Sequence, residues 1–102
     1  MEIEVLYFDG CPNHGPALQL LRDVLAEQGL QATISEVNVR DSAEAQRIGF
    51  LGSPSVRVNG VDIDPSARLS REYGMICRTY MVNGRRQDTP SREMLRQAIV
   101  SA

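Results

Sequence analysis

The spacing of apolar residues changes period several times along the chain, and each change predicts an element. Ile3, Val5, Leu6, Tyr7 and Phe8 form a short run rich in β-branched and aromatic residues, closed by Asp9-Gly10. That pattern predicts a strand over residues 3–8. From Pro16 to Gln28 the period becomes helical, with Ala17, Leu18, Leu21, Val24 and Leu25 on one broad face and Gly29 as the stop. Leu30 to Val39 returns to strand character. Its phase slips after Ile34, because Val37 and Val39 fall on the other parity. The slip predicts a bulge or a strand end.

Asp41-Ser42-Ala43-Glu44 resembles a capping box and opens a short helix to Ile48. Val56-Arg57-Val58 reads as a third strand, Asn59-Gly60 as a hairpin turn, and Val61-Asp62-Ile63 as a segment pairing back on it. Asp64 to Met75 is polar and broken by Pro65 and Gly74, leaving room for one helical turn. Ile76 to Val82 reads as a fourth strand, followed by a second turn at Asn83-Gly84. Thr89-Pro90 marks a helix start, threonine as cap and proline at the first position, with Met94, Leu95, Ala98 and Ile99 on one face. The order β-α-β-α-β-β-α predicts a layered α/β domain with a central mixed four-stranded sheet flanked by helices. A β-α-β unit puts the first strand inside the sheet, and Cys11 at its C-terminal end.

The 102 residues suit a single domain over residues 1–102. Eleven basic and 13 acidic residues are spread along the chain for a net charge of −2, without the basic stripe that nucleic acid or an anionic membrane needs. Every basic residue is an arginine, which excludes Schiff-base chemistry and a lysine-assisted thiol. The N-terminus carries no leader-like pattern, and no apolar run is long enough to span a bilayer. Two cysteines point to a reducing compartment and a cytoplasmic protein, with no cofactor implied.

Chemistry concentrates on a few residues. Cys11 falls where a strand runs into a helix, near the positive end of the peptide dipoles, which favours the nucleophilic thiolate. His14, three positions on, is placed to stabilise that thiolate or shuttle its proton. Cys77, on the expected internal strand, is the candidate distant resolving thiol; a bridge to Cys11 needs Cα atoms within roughly 7 Å. Asp9 reads first as a strand-ending turn and second as a proton carrier. Asp62 and Asp64 read as a solvated turn, and Arg85-Arg86 as a wet hairpin end. Cys11, His14 and Cys77 offer three N/S ligands, short of the four that structural zinc wants. Cys11 and Cys77 remain candidates for a thiophilic ion, which needs only two or three soft ligands.

The element order, with Cys11-Pro12 opening the first helix and Ser53-Pro54 before the third strand, resembles the thioredoxin superfamily over nearly the whole chain. The wording of Phe8-Asp9-Gly10-Cys11-Pro12-Asn13 and Gly52-Ser53-Pro54-Ser55-Val56-Arg57-Val58-Asn59-Gly60 narrows the resemblance to a small bacterial thioredoxin-like group sometimes labelled alkylmercury lyase-related. The resemblance implies a cis Ser53–Pro54 bond facing Cys11, with Ser53 and Pro54 shaping a groove where a substrate backbone docks. It implies a thiol-disulfide oxidoreductase-like protein acting on protein or small-molecule thiols and disulfides. Mercury or organomercurial handling through Cys11 and Cys77, or a non-catalytic adaptor, are the alternatives. Cys-x-x-His replaces the superfamily's Cys-x-x-Cys, and there is no tryptophan, so the local resolving thiol is missing.

Overall fold

In the computed structural model, which describes residues 1–102, strands β1 (Glu2–Tyr7), β2 (Thr33–Asn38), β3 (Ser55–Val58) and β4 (Val61–Asp62) form one sheet in the order β2-β1-β3-β4. β1 lies inside it, parallel to β2 and antiparallel to β3, and β4 is antiparallel to β3. Helices α1 (His14–Glu27), α2 (Ser42–Ile48) and α3 (Arg92–Val100) flank this mixed sheet. No helix is long and apolar enough to cross a membrane.

The two faces of the sheet bury separate cores. Ile3, Val5, Val56 and Val58 point toward α1 and α3, where Leu18, Leu21, Val24, Leu25, Leu95 and Ile99 complete one cluster. Leu6 points the other way, toward Val39, Ala45 and Phe50 beneath α2. This two-sided burial explains the phase slip in β2. Ile34 pairs with Ile3 and packs on the first core, whereas Val37 pairs with Leu6 and packs on the second. The β1–β2 register runs without a break from Glu2–Thr33 to Tyr7–Asn38, so the expected bulge or strand end is replaced by a change of face.

Local signals set most element ends. α1 begins at His14, two residues before the expected start, because Pro16 in the first turn has no intrahelical N–H to lose. It stops at Gly29 (φ 63°), where the Gly29 N–H bonds Ala26 O and the Leu30 N–H bonds Leu25 O, a Schellman pair. The Asp41 side chain caps α2 by accepting from the Glu44 N–H at 2.8 Å, while the Glu44 carboxylate accepts from the Arg40 N–H. Asn59-Gly60 and Asn83-Gly84 both adopt the positive φ angles that tight hairpins require.

Two elements depart from the sequence reading. α3 starts at Arg92, capped by Ser91, whose hydroxyl accepts from the Met94 N–H at 3.0 Å; Thr89-Pro90 precedes the cap, and Pro90 is buried. Three residues in a row carry N-terminal chemistry there, and burying Leu95 and Ile99 selects among them. The expected fourth strand over residues 76–82 divides in two. Tyr80–Val82 (β5) forms a separate ribbon with Arg85–Gln87 (β6), and residues 76–78 meet the turn before β3 through one isolated parallel bridge, Ser53 to Cys77. β4 takes the fourth place in the main sheet.

Candidate functional site

β1 ends at Tyr7, and the chain turns through Asp9 and Gly10 (φ 85°) before Cys11, whose N–H reaches Phe8 O at 3.3 Å. Asn13 caps α1 without a side-chain bond, so half-buried Cys11 stands two residues ahead of the helix cap rather than in its first turn. The macrodipole falls off within a turn, which leaves Cys11 at the margin of its influence. Asp9 is held across the sheet end, where its Oδ1 accepts from Asn38 Nδ2 at 3.1 Å.

His14 is committed elsewhere. Its ring stacks on Tyr7 at 3.6 Å between centroids and 7° between planes, and Nε2 lies 2.8 Å from Glu36 Oε1. Both partners come from strands, so β1 and β2 orient the imidazole. Its link to Cys11 is a backbone one, from the His14 N–H to Cys11 O at 3.5 Å.

The Ser53–Pro54 peptide bond is cis. Ser53 is fully buried, and its Oγ accepts from the Phe8 N–H at 3.4 Å, joining the Cys11 loop to this turn. The expected docking edge beside Pro54 is filled by the chain itself. Ser53 N–H donates to Ile76 O and Ser53 O accepts from the Arg78 N–H, each at 2.9 Å, so residues 76–78 form a strap along the turn. Pro54 is buried beneath it, and its carbonyl accepts from Tyr80 Oη at 2.6 Å. A Cβ at Gly52 (φ 113°) would lie 2.9 Å from Ile76 O and 3.1 Å from Arg78 Cβ, so the strap needs glycine there.

Cys77, expected to be buried on an internal strand, is exposed, because its segment pairs on one side only. Residues opposed across a β-bridge project to one face. Cys77 therefore shares the face of Ser53 Oγ, which looks toward Phe8. The Phe8–Ser53 contact joins the Cys11 loop to the Ser53–Cys77 bridge, while Tyr7 and Glu36 hold the His14 ring. Both cysteines are free. No group of three or more His, Cys, Asp or Glu side chains is arranged around a metal-sized space, so the three-ligand set of Cys11, His14 and Cys77 is not assembled. A depression of about 440 Å³ where the Cys11 loop leaves β1 is lined by Phe8, Asp9, Val39, Arg40 and Met75.

Sequence reasoning missed the group that anchors the strap. Asp62, taken for a solvated turn residue, is nearly buried and accepts from Arg78 Nη1 and Nη2 at 2.7 and 2.8 Å. Arg78 Nη1 also reaches Ser55 Oγ at 3.0 Å, and the guanidinium lies 4.5 Å over the Tyr80 ring. Burial works against the charge on Arg78, but the Asp62 hydrogen bonds and the field of neighbouring Tyr80, Asp62 and Asp64 hold its pKa above the ordinary value. Burial pushes the Tyr80 phenol above its ordinary value, opposed by Arg78 and helped by Asp62 and Asp64. The available hint was an arginine next to the second cysteine, on a segment read as a strand, which needs a counterion if buried. Asp64 caps the turn at Pro65–Ala67, and Arg85 and Arg86 lie exposed on β6.

No curated protein and no solved structure matches the chain significantly. A family model matches residues 15–99, a stretch that includes Pro54, Asp62, Cys77 and Arg78 and begins just after Cys11 and His14. By that match the chain belongs to the family described as Domain of unknown function (DUF2703).

Proposed function

We propose that the protein is a thioredoxin-like thiol-disulfide oxidoreductase of the cytoplasm, with Cys11 as attacking thiol and Cys77 as resolving thiol. One observation carries the reading: a chain of contacts runs from the loop of one free cysteine to the segment of the other. Cys11 bonds to Phe8, Phe8 to Ser53, and Ser53 bridges to Cys77. The sheet order β2-β1-β3-β4, with its parallel pair and antiparallel hairpin, supports the thioredoxin-like assignment.

The Cys11 thiolate attacks one sulfur of a substrate disulfide, forming a mixed disulfide and expelling the other half as a thiolate. The Cys77 thiolate then attacks Cys11 Sγ, releasing the second half and leaving a Cys11–Cys77 disulfide. An external thiol reduces that bond and is itself oxidised. The strap anchored by Arg78 and Asp62 supports Cys77 in this role by fixing the backbone beside it.

The test is exchange with a small aromatic disulfide, followed by intact and peptide mass. Wild type ends as an internal disulfide. Cys77→Ser stalls with one adduct on Cys11, and Cys11→Ser loses disulfide reduction. If both cysteines react as slowly as in an unfolded peptide and no bridge forms, the reading fails. The same chain of contacts between two free cysteines also supports a soft-metal reading, with Cys11 and Cys77 holding a thiophilic ion. Hg²⁺ affinity no greater than that of a single-cysteine control would remove it. Partner capture that survives Cys11→Ser would favour an adaptor.

A further inference from the structure

We propose that a second site, on the α2 face of the β3–β4 hairpin, binds a small ligand through an oxyanion, carboxylate or phosphate. The site is a pocket of about 420 Å³ between the hairpin, the end of α2 and the 67–73 loop. Neither cysteine lines it, so it stands or falls independently of the thiol reading.

Its lining is rich in unspent donors. Arg57 projects from β3 and donates through Nη2 to Ile48 O and Gly49 O, each at 2.9 Å. Arg68 donates through Nε to Asp62 O at 2.8 Å. Neither guanidinium is among the chain's ion pairs. Arg57 keeps Nε and Nη1, and Arg68 keeps both Nη groups, without protein acceptors. The one carboxylate in the lining, Asp62, is engaged in both oxygens by Arg78 and leaves the two arginines unneutralised.

The wall is fixed before any ligand arrives. The Tyr73 ring covers Gly49, whose Cβ position lies 3.4 Å from it, and Tyr73 O accepts from Gln46 Nε2 at 2.9 Å. Ser70 Oγ accepts from the Glu72 N–H and keeps its own proton to donate. Two guanidinium forks, each held by a backbone carbonyl, and a hydroxyl in the same lining suit an oxyanion, and arginine's planar fork matches carboxylate and phosphate alike.

The experiment titrates the full chain with inorganic phosphate and, separately, with succinate, at ionic strength held constant by sodium chloride. Arginine Nε–Hε and backbone amide resonances report binding. Saturable shifts are expected at Arg57, Arg68 and residues 68–73, and the tighter anion identifies phosphate or carboxylate as the source. Arg68→Gln should weaken binding about tenfold, with partial recovery in Arg68→Lys, which restores charge without the fork. Because Arg57 also holds the end of α2, Arg57→Gln is read only beside its helical content. Shifts that stay linear in concentration and equal those from chloride would overturn the proposal. So would saturable binding that Arg68→Gln leaves unchanged.

Discussion

Replacing Asp62 by alanine tests whether a buried ion pair holds the Cys77 strap. Side-chain exposure is 6% for Arg78 and 9% for Asp62, so water screens the pair little. The substitution deletes both acceptors at 2.7 and 2.8 Å and leaves Arg78 Nη2 without a partner, while Nη1 keeps Ser55 Oγ. A buried charge stripped of its counterion costs about 3–5 kcal/mol. Domains of this size are stable by only about 5–15 kcal/mol, so the loss takes a large share of the total. Urea unfolding should show it directly, and the midpoint temperature should fall on the order of 15 °C. The double variant Asp62→Ala/Arg78→Met removes the orphaned charge as well and should recover much of the stability. Cys77 alkylation should quicken in the single variant, because Arg78 no longer pins the strap. A loss under about 1 kcal/mol, with Cys77 reactivity unchanged, would refute the reasoning, since it is the value of a solvated surface pair.

Three further outcomes follow from the same contacts. Tyr80 is buried with its pKa raised, so its neutral form is favoured by folding, and its contribution is complete below the unfolded value of about 10. Stability should therefore fall as pH rises above about 10, and Tyr80→Phe should flatten that slope in alkaline denaturation. Gly52→Ala sets a Cβ against Ile76 O at a positive φ and should cost about 1–3 kcal/mol, read by urea unfolding, with faster alkylation of Cys77 than of Cys11. Ser91→Ala removes the α3 cap and should cost about 1 kcal/mol, while Thr89→Ala should be nearly silent, separating the observed helix start from the expected one.

Short-range signals along the chain were enough for whatever a few neighbouring residues can decide. Asn-Gly pairs tolerate positive φ, so both hairpin turns were legible, and Asp41 with Glu44 announced α2 because a cap needs only one turn of chain. The apolar face of α1 and the run of β1 followed from their periods. Tertiary structure decided every choice of distant partner. β2's broken parity reads as a bulge or a strand end, and only the cover on both faces of the sheet shows one unbroken strand. The sequence reading assigned the fourth sheet position to residues 76–82, whereas β4 takes it by pairing with β3 across the intervening turn. Asp62 looked like any aspartate after a turn; only burial beside Arg78 made it a counterion, and burial is a property of the assembled layers. His14 has the spacing to serve Cys11, yet the Tyr7 ring and the Glu36 carboxylate hold it instead. Dihedral preference and periodicity act over a few residues, whereas desolvation and long-range pairing act only once the chain has closed on itself.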